Sequence, residues 1–457
     1  MDEGRERWLD QATRALVVAM ALAVLLNGLP FWGRRVGLLE RQAYRRELAL
    51  FCQPPLRSWW LPATCRPHRL VMLGPTRTVE RIDVLRLYKI RGPEVGLKAG
   101  RYGVLLAVVI GSVALLLARW QAVPPPQAWL PLLPLLLSTL LSAGISLGQE
   151  GGAASWLPLL WSLWIPLAAW SGWLTTPNRL QCLADGAAAL VVLQLPFLAL
   201  EAMRGLPMPF GAPANPWLPT RLSGLMTHPN TLGGLLAISV ALCVAVSGRR
   251  WQRWPLLLLS LGMAILARSG TGVVALAVLA AGMGVGHLPR RWRLFPVILS
   301  LVALTAALPQ LLGRPQLFDS PSGRVSTLRM WLAIPRSAQE RWLGYGLAST
   351  GDLKRTAPIP GVSHASAGPP PKGAKPSADG QPLLLLTQGG VVALVAFYGL
   401  IGWVAWHDVR QRLFWTVVAL TSLTLNLTEV FPLIVWLAVM MARGLGSPAL
   451  KPATPRD

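Results

Sequence analysis

The chain has 457 residues, of which 53% are hydrophobic and only 14% charged, with a mean hydropathy of +0.47. A soluble globular protein carries roughly 25% charged residues, and here the apolar residues come in runs of about 18 to 24, enough to span a hydrocarbon core of roughly 30 Å. The formal net charge is +24, from 43 Lys and Arg against 19 Asp and Glu, but the arginines cluster at the ends of apolar runs, where they orient spans and meet anionic membrane lipids, and no basic module interleaved with aromatics points to nucleic acid.

Lipid offers no partner for backbone N–H and C=O groups, so the spans must be helices. The first apolar run, Thr13 to Trp32, is long and lacks a small-residue cleavage site, so it reads as a retained span. Residues 33–101 follow as a basic polar segment, with 15 Lys and Arg against 5 Asp and Glu. Cys52 and Cys65 lie in it without metal-ligand spacing, and a disulfide between them requires an oxidising compartment. Further spans are expected near 102–120, 127–147, 155–174, 180–203, 230–247, 254–268, 270–288 and 294–313. Cys182 and Cys243 fall inside two of these and read as small hydrophobes. A long loop occupies 314–382, and the last spans lie near 383–406, 413–428 and 431–446, followed by a short tail. The fold class is therefore an all-α polytopic integral membrane protein, with about twelve transmembrane helices and one large external loop.

Charge orients the chain. Arg249, Arg250 and Arg253 share one short loop, Arg290, Arg291 and Arg293 a second, and Arg410 and Arg412 a third. By parity all three lie on one side, and their charge makes that side cytoplasmic, together with both termini. The opposite side receives the connection 204–229, the turn at Arg268–Gly270, the long loop and the turn near Thr428–Pro432. Segment 33–101 runs against this pattern, since parity puts its local excess of +10 outside, and its side stays open.

The long loop divides in two. Val325, Leu328, Trp331, Leu332 and Ile334 recur at helical spacing and lead to the turn Leu343-Gly-Tyr-Gly346, which predicts a short amphipathic helix on the membrane face. Residues 356–382 are rich in Pro, Gly, Ser and Ala and predict irregular backbone.

Four external elements could carry chemistry. The first is Arg221 with His228, Pro229 and Asn230, in RLSGLMTHPNTLGG at the mouth of a span. Arg221 offers a planar fork suited to phosphate oxygens, and Asn230 can cap a helix whose N-terminal N–H groups favour an anion. The bland alternative is an arginine that meets headgroups beside an ordinary cap. The second is Arg324 with Arg329, five residues apart and so on different helix faces. The third is Arg268, a charge among apolar residues, which either serves function or ends its helix at the interface. The fourth is a general base, His364 or Asp379, the latter needing a raised pKa, with His228 the weaker candidate. No Walker loop, dinucleotide fingerprint, zinc signature or serine elbow occurs in a supporting context, and no cofactor or metal is expected.

These residues resemble a known family. RLSGLMTHPNTLGG, an apolar span and then a Ser-Gly-Thr-Gly helix start look like the O-antigen ligase and O-antigen polymerase superfamily. SGRVSTLRMWLAIPRSAQERWLGYGLAST resembles the Arg, Trp, Gly-x-Gly segment of that family's large periplasmic loop, and Gln388 to Gly390 resembles the Glu-Gly-Gly after it. The resemblance covers about 210 to 410. It implies an inverting, metal-independent membrane glycosyltransferase of the bacterial inner membrane, with a periplasmic active face. Such an enzyme moves a glycan from an undecaprenyl-diphosphate carrier to an acceptor hydroxyl on lipid A-core or a growing glycan. By the same resemblance Arg221 and Arg324, with Arg268, would hold the diphosphate and a loop histidine would be the base. Where the family has His-Asn before the Gly-Gly pair, this chain reads Asp379-Gly380, which leaves His364 and Asp379 as alternatives. Outside the resemblance, a transporter or flippase for lipid-linked or anionic solutes and a non-catalytic envelope component remain the rival classes. A transporter should show charges near mid-span and internal symmetry, and only Asp185 and Glu201 stand out as such charges.

Overall fold

In the computed structural model the described residues are 3–35, 130–147, 176–203, 222–226, 228–246, 250–287, 337–347, 380–408, 411–430 and 432–445. Among them every regular element is helical. We number the α-helices α1 Glu3–Arg35, α2 Leu133–Leu147 (after a 3-10 turn, Leu130–Leu132), α3 Pro177–Met203, α4 Pro229–Val246, α5 Arg250–Leu266, α6 Gly270–His287, α7 Ala338–Leu343, α8 Gln381–His407, α9 Arg412–Ser422 and α10 Leu433–Leu445. Four are long and apolar enough to cross a membrane, over Arg7–Leu26, Pro177–Met203, Pro229–Val246 and Gln381–His407. Shorter apolar helices cover Leu130–Ser146, Gln252–Leu266, Gly270–Gly284 and Leu433–Leu445. The expected spans 102–120, 155–174 and 294–313, the basic segment 36–101 and most of the long loop lie outside the described residues.

One expected element breaks in two. The apolar run 413–428 forms α9 only to Ser422, turns at 423–426 and resumes as a 3-10 turn, Leu427–Glu429. Polar side chains are the reason. Thr424 Oγ1 donates to Thr271 Oγ1 at 2.8 Å, and Asn426 Oδ1 accepts the Gly380 N–H at 2.9 Å. These tertiary bonds replace the helical ladder, which a count of apolar residues does not foresee.

Helix α4 is the centre of the bundle. Its residues from Thr231 to Cys243 are all buried, against α3, α5, α6 and α9. Its apolar composition all round suits a helix enclosed by others. The core around it includes Leu232, Leu235, Ile238, Leu276, Trp415 and Trp436.

Contacts define two ends. At one end the C-terminal part of α3 meets the turn before α4, the first turns of α4 and α6 touch, and the start of α8 bonds the segment after α9. This is the motif end. At the other end Arg179 of α3 pairs with Asp10 of α1 at 2.7 Å, and Arg443 of α10 donates to the Ala245 carbonyl of α4 at 3.0 Å. Leu413 of α9 there lies against Gly282 of α6. Arg7, Arg14, Arg253 and Arg412 also belong to helix segments of that second end.

Candidate functional site at the motif end

The motif begins on a turn that α3 holds from the side. Glu201 Oε2 accepts the N–H groups of Ser223 and Gly224, both at 2.9 Å, and Gln194 Oε1 accepts that of Leu225 at 3.0 Å. Met226 N–H closes the turn on the Ser223 carbonyl at 2.9 Å. Gly224 sits at φ 54 with Gln194 Oε1 where a Cβ would go, 2.7 Å away, so both conformation and space require glycine. On the far side Gly28 of α1 presses against the Leu225 backbone, its Cβ position 2.7 Å from the Leu225 carbonyl carbon. Sequence reading marked Glu201 only as an unexpected charge in a span and passed over Gln194. Their spacing of seven on an expected helix was the available signal, because it puts both on one face.

Helix α4 then starts with a cap that differs from the expected one. Asn230 donates its backbone N–H to His228 Nδ1 at 3.1 Å, so His228, immediately before Pro229, is the N-cap. Proline at the first helical position has no N–H to satisfy, and its fixed φ suits it to that place. An Nδ1 that accepts a hydrogen bond fixes the neutral ring as the Nε2–H tautomer. In that form the ring's one basic nitrogen already receives the Asn230 N–H, which argues against a base role.

The glycine pair of the motif serves helix packing. Gly233 stands against Ser269 and Gly272, and a Cβ on Gly272 would lie 2.6 Å from Gly233 Cα. Gly234 faces Leu425. Backbone-to-backbone approach of this kind is how membrane helices gain contact without a hydrophobic driving force.

Arg268 terminates α5 in a Schellman arrangement. Its N–H donates to the Ile265 carbonyl and that of Ser269 to the Ala264 carbonyl, each at 2.9 Å. Arg268 occupies the left-handed position at φ 50, the sole non-glycine residue with positive φ among the described residues. Glycine is the usual occupant there, and an L-residue costs roughly 1–2 kcal/mol. Its side chain is exposed. Arg268 therefore ends its helix, the second of the two sequence alternatives, in a left-handed conformation that glycine more often takes.

A second strained point lies in α8. Gly390 has φ 66 and ψ −162 inside the helix, so the carbonyls before it cannot find their usual partners four residues on. The loop supplies them. Tyr345 N–H donates to the Thr387 carbonyl at 2.8 Å and Gly346 N–H to the Gln388 carbonyl at 2.9 Å. Ser142 Oγ also donates to the Gln388 carbonyl at 2.5 Å, Leu347 N–H donates to the Ser142 carbonyl at 3.1 Å, and Ser146 Oγ donates to the Leu347 carbonyl at 2.6 Å. The Gly-Tyr-Gly turn and the Gln-Gly-Gly triplet are thus two halves of one joint, clasped by α2. The short helix α7 leads into this turn, with a capping box between Ser337 and Glu340 and an exposed Trp342. Residues 322–336, which hold the expected amphipathic pattern Val325 to Ile334, lie outside the described residues.

Of the expected site residues, Arg268, His228 and Asn230 come together at the motif end. Arg221, Arg324, Arg329, His364 and Asp379 lie outside the described residues. Among the described residues no group of His, Cys, Asp and Glu is arranged to hold a metal ion. No family model, curated protein or solved structure matches this chain.

Proposed function

We propose that this protein is a polytopic glycosyltransferase that moves a glycan from undecaprenyl diphosphate to an acceptor hydroxyl at the periplasmic face of a bacterial inner membrane. The observation that carries the reading is the convergence of separate sequence segments at one end of the bundle. The Ser-Gly-Leu turn, the His228 cap, the Arg268 turn and the Gly-Tyr-Gly joint come from different parts of the chain and share that end. Orientation follows from charge. Arg7, Arg14, Arg179, Arg253, Arg412 and Arg443 belong to the other end, which the positive-inside rule makes cytoplasmic, leaving the motif end outside. With the spans expected from sequence at 102–120, 155–174 and 294–313, this topology would have about twelve helices.

The chemistry is that of an activated anomeric carbon. The acceptor oxygen attacks it, the bond to the diphosphate oxygen breaks, and the electron pair leaves with the diphosphate. Arg221, Arg324 and Arg268 would stabilise the charge that grows there. His364 or Asp379 would take the acceptor proton. Lipid anchoring of the donor confines it to the plane of the motif end and supplies part of the positioning.

The direct test is glycan transfer by the purified protein, using a lipid-diphosphate-linked donor, with Arg221→Ala and Arg324→Ala. Both should lose transfer while still reaching the membrane. Full activity in both sinks the proposed diphosphate site. A deletion strain separates the two reaction types, since loss of all capped lipid A indicates a ligase and single-repeat caps a polymerase.

One observation favours a second reading, a transporter. Discontinuous helices mark transporter sites, and α8 is broken at Gly390. Its freed carbonyls, however, are occupied by Tyr345 and Gly346 N–H groups, which makes the break a docking joint for the loop.

A further inference from the structure

We infer that Glu201 and Gln194 are positioning residues that set the motif end for donor binding, an inference that rests on the transfer reading above. Both side chains are completely buried, near the motif end of α3. Burying a carboxylate and an amide between apolar helices is costly, and leucine at either position would pack more favourably. What the polar groups supply is three hydrogen bonds to three successive backbone N–H groups, those of Ser223, Gly224 and Leu225. Successive N–H groups on such a turn form an anion-binding concavity. Here a side-chain oxygen of the chain's own Glu201 occupies that concavity and fixes the turn from within.

The rest of the turn is arranged around that clamp. Gly224 adopts its left-handed conformation against Gln194, and Gly28 holds the turn from α1. In the sequence the clamped turn lies between Arg221 and His228, two of the motif's polar residues. Gln194 shows the cost most plainly. Its Nε2 has no hydrogen-bond partner among the described residues, while its Oε1 is committed to Leu225. With no partner for Nε2 among the described residues, Gln194 is accounted for by what its acceptor does.

The test uses the full chain in lipid nanodiscs and four variants: Glu201→Gln, Glu201→Leu, Gln194→Leu and, as a control for the diphosphate site, Arg221→Ala. Glutamine keeps a carbonyl oxygen able to accept both N–H groups, so Glu201→Gln should retain near wild-type transfer. Glu201→Leu should lower kcat/KM for the lipid-diphosphate donor about 10- to 100-fold, with the acceptor KM unchanged. Hydrogen exchange at the amides of residues 223–225 should accelerate in Glu201→Leu and Gln194→Leu, with the rest of α4 protected as before. Wild-type donor kinetics in Glu201→Leu, or equal impairment in Glu201→Gln, overturns the inference. If Glu201→Leu does not fold, Gln194→Leu, which removes a single acceptor, carries the same two readouts. Full activity in Arg221→Ala strikes only the place of Arg221 in the diphosphate site, whereas no transfer by the wild-type protein strikes the transfer reading, and the exchange measurement then decides the clamp by itself.

Discussion

Gly233 and Gly272 meet backbone to backbone, with the Cβ position of Gly272 only 2.6 Å from Gly233 Cα. The contact joins α4 to α6 at the motif's own glycine pair, about one turn below the His228 cap and next to Ser269, so it sets the spacing between that cap and the Arg268 turn. Because the obstruction is backbone, no rotamer change relieves it. Gly272→Ala should lower stability by about 1–3 kcal/mol through overpacking, seen as a reduced Tm in detergent. Gly262, Gly399 and Gly402 have nothing within 4 Å of the Cβ position. The same substitution there should be neutral or stabilising by roughly 0.5–1 kcal/mol, since alanine is the better helix former. Equal Tm values across all four variants would show that the close approach is not energetically important.

The joint between the loop and α8 predicts a local effect. Gly390 needs its positive φ, and a Cβ there would also run into the backbone of Trp342 and Leu343. Gly390→Ala should therefore release residues 345–347 from the Thr387, Gln388 and Ser142 carbonyls while α4 stays intact. Hydrogen exchange at Tyr345, Gly346 and Leu347 is the measurement, with an acceleration of about tenfold or more corresponding to at least 1.4 kcal/mol of lost local stability. Ser142→Ala removes only the hydroxyl bond to Gln388 and should give a smaller change in the same amides. Protection of these amides in Gly390→Ala as strong as in the wild type would argue against the joint.

What the sequence made legible follows from what determines each feature. Helix α3, expected over 180–203, spans Pro177–Met203, and α8, expected over 383–406, spans Gln381–His407, because an unbroken apolar run and a following charge settle such boundaries locally. The break at Gly390 lies in an equally apolar run and was not legible, since its cause is a partner, Tyr345, more than forty residues away in the chain. The end of α9 at Ser422 depends likewise on Gly380 and Thr271. At the site, Arg268 was legible as an exception to apolar composition, but its left-handed backbone was not. The assignment of the cap to Asn230 failed for a local reason: both His228 and Asn230 have side chains able to accept, and the proline between them makes the residue before it the cap.

Arg268 should show stability and activity moving in opposite directions. Arg268→Gly relieves an L-residue at φ 50 and leaves the two terminating hydrogen bonds, from Arg268 and Ser269 N–H groups, in place. Stability should rise by about 0.5–1 kcal/mol. If the guanidinium binds the leaving diphosphate, transfer should fall by about 100-fold in the same variant, the usual scale for losing one transition-state donor. Arg268→Lys keeps charge but loses the planar fork, and should recover only part of the rate. A variant that is both more stable and fully active would reduce Arg268 to a helix terminus.

His228 provides the complementary case, in which side-chain chemistry should be replaceable. As an N-cap it acts through Nδ1, which receives the Asn230 N–H. Asparagine and serine at 228 carry an acceptor at similar reach, so His228→Asn and His228→Ser should keep both Tm and transfer rate close to wild type. His228→Ala lacks the acceptor and should lose about 1 kcal/mol of stability, with transfer falling only as far as the folded fraction falls. A general base behaves otherwise. Its replacement by asparagine would cut kcat by about 100-fold or more at unchanged Tm, and would remove one limb of the pH profile. Measuring kcat and Tm together for His228→Asn therefore separates a cap from a base. The expected result, an active and stable asparagine variant, leaves the proton to His364 or Asp379.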